Sequence, residues 1–286
     1  MKTALVGLAP DFGGQEALAL ARQLAIDGAL RLIVCVVIPE SWDHPAIGQV
    51  DAEYDAFVRE RGEAALAAAR AQLGTCPADY RLVPAASASA GLIAAAATFH
   101  ADCIILGSAR EGTIGRLLLG SVGDEILHVS SVPVLMAPRN YNADQKPSRL
   151  TLAYAGGPGA HSLLRQAREV AAWLGAPLRL ASFWVRELNL FPTSGMGRET
   201  DIRLSWREQA RASLAAAQTE LGVDPETVLG EGAGWVEALA ALEWRPGEML
   251  LLGSSRIGLL RHVFLGSNAH KILKASPVPV MVLPKQ

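Results

Sequence analysis

Gly107, Gly120 and Ser121 belong to a pattern the chain writes twice. The run ILGSAREGTIGRLLLGS at 105–121 returns as LLGSSRIGLLRHVFLGS at 251–267. Gly253, Gly266 and Ser267 each lie 146 positions after their counterparts, as Pro279 does after Pro133. In both copies an apolar run ends on a glycine, a loop follows, and a second glycine with a serine opens a helix-like run. Glycine lets backbone approach a bound group closely. A serine hydroxyl beside the free N–H groups of a helix start suits an anion. The chemistry this combination offers is the holding of a phosphate at the strand-to-helix turn of an α/β protein. Taken singly, such a pair reads better as a turn and a cap. Repetition at one spacing makes the two copies structurally equivalent, whether or not a ligand remains in either.

The other polar residues carry less. His44, His100, His128, His161, His262 and His270 are scattered, with no two at metal-ligand spacing. Ser108, Ser254 and Ser255 have no assigned base, and no GxSxG elbow occurs. The rival phosphate loops GxxxxGK[ST] and GxGxxG are missing as well. No catalytic residue and no metal site is therefore expected. Cys35, Cys76 and Cys103 form an odd, scattered set, which reads as reduced thiols in a cytoplasmic protein. A net charge of −2 gives no basic footprint for nucleic acid or an anionic membrane. No apolar run reaches spanning length, and the N-terminus leads directly into a strand without a signal peptide.

The glycines need strands that end at the first of each pair and helices that start at the second. At 286 residues, 50% hydrophobic and 19% charged, the chain can bury two cores. TALVGL (3–8) is a short apolar run, followed by glycines and a helix to about Asp27. Leu18, Ala21 and Ala25 share one face of it, and Leu164, Ala167 and Ala171 repeat that face. LRLIVCVVI (30–38) and PLRLASFWV (177–185) read as strands buried on both sides. Polar loops (39–56 and 186–203) follow, in which Trp42, His44 and Phe191 are packed anchors or parts of a lid. Helices ending LAAARAQLG (66–74) and LAAAQTELG (214–222) close on Gly74 and Gly222. Here the spacing is 148, so the second copy has gained two residues before this helix and loses two after it. Strand YRLVP (80–84) with partner ETVLG (226–230), a short helix, and CIILG (103–107) with partner MLLLG (249–253) come next. Each half closes with a helix and a VPV strand (132–136, 278–282). Such alternation predicts parallel strands with helices on both faces. The polar segment NYNADQKPS (140–148) is the predicted linker, between domains 1–139 and 149–286.

The spacing Gly–x2–Gly–x9–Gly–Ser, after an apolar strand and before a VPV strand, resembles the universal stress proteins. Both halves carry the frame, so the resemblance covers nearly the whole chain, and RLLLGS at 116–121 is a specific marker of it. It implies an α/β fold of two tandem five-stranded parallel-sheet domains, of the universal-stress, adenine nucleotide α-hydrolase-like kind. They would be related by a pseudo-two-fold axis and packed as an intramolecular pseudo-dimer through the strands holding Val132, Val134, Val278 and Val280. A homodimer of whole chains is compatible with this. The implied function is a non-catalytic stress-response protein binding ATP or a related adenine nucleotide at the strands' carboxyl ends. Its contacts would be Gly107, Gly120 and Ser121, then Gly253, Gly266 and Ser267. Two departures bear on the nucleotide. The frame's middle glycine is Arg110 in one half and Arg256 in the other. The aspartate that family ATP binders carry just after the first strand is Ala9, and Ala155 in the second half. Each arginine either pairs with phosphate oxygens bidentately or fills the triphosphate's space. The latter outcome makes the chain an interaction scaffold without nucleotide. A hydrolase or transferase on the same sheet is a third reading, with no acid–base pair in view.

Overall fold

The computed structural model describes residues 1–11, 13–28, 30–40, 48–109, 117–157, 159–186, 196–254 and 266–284. The first half runs β1 (Lys2–Leu8), α1 (Gln15–Leu24), β2 (Leu30–Pro39), α2 (Gly48–Leu73), β3 (Ala78–Ala85), α3 (Ala88–Thr98), β4 (Cys103–Gly107), α4 (Ser121–Val129) and β5 (Val134–Ala137). The second half repeats the order as β6 (Leu150–Ala153), α5 (Ala160–Leu174), β7 (Leu178–Val185), α6 (Met196–Leu221), β8 (Glu226–Gly232), α7 (Trp235–Ala240), β9 (Met249–Gly253), α8 (Ser267–Ala275) and β10 (Val280–Leu283).

The ten strands form one sheet, ordered β3-β2-β1-β4-β5-β10-β9-β6-β7-β8. Pairing within each half is parallel, and the halves join by an antiparallel β5–β10 pair, Leu135 opposite Met281. The two tandem five-stranded units expected from the repeat are thus fused edge to edge. Alternation along the strands splits the core in two. Ala4, Val6, Leu32 and Val34 belong to the layer that α1, α2, α5 and α6 cover, whereas Leu5, Ile33 and Cys35 belong to the layer of α3, α4, α7 and α8. Both apolar layers run through both halves, which is why the strands read as unbroken apolar runs.

Several local expectations shift. α2 and α6 begin at Gly48 and Met196, so the later parts of the 39–56 and 186–203 segments are helical rather than loop. Trp42, His44 and Phe191 lie outside the described residues. Gly74 and Gly222 do follow the helix ends, with φ of 57° and 65°. Asp79 pairs with Ile33 and Glu226 with Arg179, so Tyr80 corresponds to Thr227, one residue later than even spacing places it. Pro133 and Pro279 stand just ahead of β5 and β10; they donate nothing, and their carbonyls accept from Ile104 N–H (3.0 Å) and Leu250 N–H (2.9 Å).

The second half buries a charge cluster that the first lacks. Arg149 donates to both carboxylate oxygens of Glu248 (3.1 and 2.8 Å), and Arg179 donates to Glu248 (2.7 Å) and to Thr151 Oγ1 (2.9 Å). Thr151 in turn donates to Glu248. All four side chains are buried, and the Arg179 guanidinium lies over the Trp244 ring. The matching first-half positions are Thr3, Leu5, Ile33 and Asp102. The segment between β5 and β6 lies along α1. Asn140 N–H donates to Glu16 (3.0 Å), Tyr141 donates to Gln23 (2.7 Å), and Gln23 reaches the Gly247 carbonyl of the second half (3.4 Å).

Candidate functional site

In each half the first strand lies between the second and the fourth, so successive connections leave it in opposite directions. That arrangement opens a crevice at the carboxyl ends of the central strands. In the first half it is a cleft of about 520 Å³ between the ends of β1 and β4. Gly7 and Leu106 form its floor. Val37, Ala88 and Leu92 line one side, and Gly120, Val122 and Gly123 belong to the opening of α4. A side chain at Gly7 would place its Cβ 2.8 Å from Leu106 and Leu92 methyl groups, which would have to shift to admit it.

The predicted glycines differ in what they do. Gly107 lines the cleft, but its immediate constraint is internal: a Cβ there would sit 2.9 Å from Gly14 Cα. The β1–α1 loop rests on it, with Gly14 at φ 97°, a conformation that favours glycine. Gly120 is different. Its backbone is extended (φ −81°, ψ 169°), and a Cβ would touch only Ala109, at 3.5 Å. Among the described residues neither conformation nor packing demands glycine at 120, and its bare edge borders the cleft. Gly120 also occupies the N-cap position, so Ser121 is the first residue of α4 and not its cap. Gly266 and Ser267 repeat this exchange at α8. The reason is the extended conformation of each glycine, which leaves the serine already helical. Gly253 ends β9, where the Leu163 side chain covers it. Arg110 and Arg256 lie outside the described residues.

Side chains near the cleft fix its walls. Ser108 Oγ accepts from Leu118 N–H (2.8 Å) and donates back to its carbonyl (3.3 Å), while Ala109 N–H donates to the same carbonyl (2.9 Å). These bonds tie the end of β4 to the strand-like approach to α4. Ser89, buried at the start of α3, donates to Glu125 on α4 and holds the two cleft helices together. Asp11, which sequence reasoning passed over, lines the cleft two residues beyond Ala9, with Oδ1 accepting from Gly13 N–H at 3.3 Å. A polar cavity of about 280 Å³ adjoins it, lined by Gly13, Gly14, Glu16, Arg139 and Asn140 among others. Burial pushes the thiols of Cys35 and Cys103 up to about 12, so neither is a ready nucleophile. Among the described residues no group of three His, Cys, Asp or Glu side chains is placed to hold a metal ion. No described helix is long and apolar enough to cross a membrane.

Comparison with known proteins agrees with this geometry. A family model described as the universal stress protein family matches residues 1–138 and 148–284. A universal stress protein of Mycobacterium tuberculosis is 34% identical over 290 aligned residues, covering 99% of each chain. One from Mycolicibacterium smegmatis is 24% identical over 206 residues, covering 65% of this chain and 63% of its own. Among solved structures, a universal stress protein from Archaeoglobus fulgidus superposes with a TM-score of 0.65 at 20% identity, covering 99% of this chain and 98% of that one. A putative universal stress protein from Pseudomonas aeruginosa gives 0.59 at 20% identity, covering 99% and 93%.

Proposed function

The chain belongs to the universal stress protein family, and on that premise we propose that it is a non-catalytic stress-response protein whose first-half cleft takes an adenine nucleotide such as ATP. The observation that carries this reading is Gly120: it opens a helix beside an apolar cleft, and among the described residues nothing but a clear cleft requires it to lack a side chain. The base would lie over Gly7 between Val37, Ala88 and Val122, in surroundings suited to a flat apolar group. The phosphates would face the opening of α4, whose first N–H groups have no partner within the helix. Asp11 would supply the carboxylate that Ala9 lacks, accepting from the nucleoside. Arg139, which lines the adjoining cavity, would be a cation for phosphate oxygens. All three cysteines are unpaired, consistent with a cytoplasmic setting. The interaction scaffold with an arginine-filled pocket remains the rival reading.

The test compares the natural chain with Gly120→Ser. Serine is the better N-cap by about 0.3 kcal/mol, so the variant should melt no lower than the natural protein. Its hydroxymethyl group crowds the phosphate end of the cleft, so ATP should raise the natural chain's melting temperature and raise the variant's less. No ATP-dependent shift in the natural chain would favour the scaffold. Measurable ATP turnover would contradict the non-catalytic assignment.

A further inference from the structure

Resting on the nucleotide reading above, we infer that the chain holds one ligand, in its first half, because the equivalent space of the second half is filled by that half's own side chains. Val37 and Ala88 line the first-half cleft. The second-half positions follow from the strand registers. Ala4 pairs with Cys103 and with Leu32, and Leu150 pairs with Met249 and with Leu178. Carried along the strand, this puts Phe183 at the place of Val37. Ala88 is the first residue of α3, and Trp235 is the first residue of α7. The rings of Phe183 and Trp235 meet with centroids 6.2 Å apart and planes tilted by 57°. Where the first half has a cleft between an isopropyl group and a methyl group, the second has a benzyl group in contact with an indole.

The strand end tells the same story. The repeat puts Leu163 in place of Ala17, and its methyl groups come within 3.0 Å of where a Cβ on Gly253 would be. Gly107 is met there by glycine backbone instead. Gly7, the cleft floor, becomes Ala153. Phe183 and Trp235 are half-buried against the apolar layer of α7 and α8, so a ligand entering there must first part the two rings. The second half therefore acts as a fixed partner for the first, and ligand occupancy has two states per chain, empty and full.

Calorimetric titration with ATP tests this on three full-length proteins. The natural chain should take up one equivalent. Val37→Phe with Ala88→Trp carries the aromatic pair into the first half and should weaken binding at least tenfold. Phe183→Val with Trp235→Ala should keep the equivalent in the first half. If the first double variant does not fold, Ala88→Trp alone replaces it. Two equivalents in the natural chain, or undiminished affinity after the transfer, overturn the inference. A natural chain that binds no ATP sinks the nucleotide reading, and crystals pressurised with xenon then decide the asymmetry. Xenon against Gly7 and Leu92, with none beside Phe183 and Trp235, supports it; xenon in the second half overturns it.

Discussion

At the scale of single residues, the two glycines of the first frame separate into a packing glycine and a cleft glycine. Gly107 is held by the backbone of Gly14, whereas Gly120 has room for a side chain among the described residues. The sequence shows both positions but not this difference, which depends on what the β1–α1 loop touches. It also places the serine one position too early as a cap. Asp11 escaped notice because the family's acidic position falls on Ala9, and a chain turn brings a carboxylate to the cleft from two residues further on. Asp11→Asn keeps a hydrogen-bonding oxygen for Gly13 but loses the charge, and charge-assisted hydrogen bonds are roughly twice as strong as neutral ones. ATP affinity should fall about tenfold, or 1.4 kcal/mol, while the melting temperature without ligand barely moves. A thermal-shift titration checks both. The thiols give a second residue-scale prediction. Burial raises all three, Cys35 and Cys103 to about 12, with Cys76 the most exposed. Brief iodoacetamide treatment of the folded protein at pH 7.5, read by mass spectrometry, should modify Cys76 first and leave Cys35 and Cys103 intact.

At the scale of elements, strands and helices were legible where both faces of a strand are buried. The run LRLIVCVVI becomes β2 because parallel strands sandwiched between helices carry apolar residues at every position. The charge cluster under β6, β7 and β9 was not legible. Arg149, Arg179 and Glu248 are far apart in sequence and look like ordinary surface charges; only the strand registers bring them together. Removing the carboxylate would leave two buried guanidinium groups with only the half-exposed Glu226 carboxylate to share. Glu248→Ala should therefore cost about 3–5 kcal/mol in a denaturant titration. α6 is tied to β8 by Arg207, which donates to both carboxylate oxygens of Glu231 (2.6 and 2.8 Å). The Arg207 hydrogen bond and charge, with Arg203 and Arg211 nearby, hold the Glu231 carboxyl below its ordinary value of 4.5. A lowered folded-state value means this contribution is complete above pH 4.5 and fades as pH falls through the folded value. Glu231→Gln should thus melt lower than the natural chain at pH 7, and the gap should close in acid. A gap that persists unchanged at pH 3 would show that the ion pair is not its source.

At the scale of the whole molecule, duplication turned two sheets into one. β5 and β10 cover each other's edges, so the apolar edge expected to seek a partner has found it within the chain. The full chain should sediment as a monomer of 30.2 kDa, and a concentration-dependent dimer in analytical ultracentrifugation would point to the β3 or β8 edge, or to a helix face. The repeat announced the pseudo-symmetry, since equal spacing of glycines and prolines survives in loops and strand ends. It could not announce the inequality of the halves. That lies in Phe183 and Trp235, which read as unremarkable apolar residues until the fold places their rings in contact.

The most direct test of the account is a crystal structure of the full chain grown with saturating ATP. The base should lie over Gly7 between Val37, Ala88 and Val122, with the phosphates directed at Gly120 and the start of α4. A first-half cleft that stays empty under those conditions, or a nucleotide bound elsewhere, would contradict it.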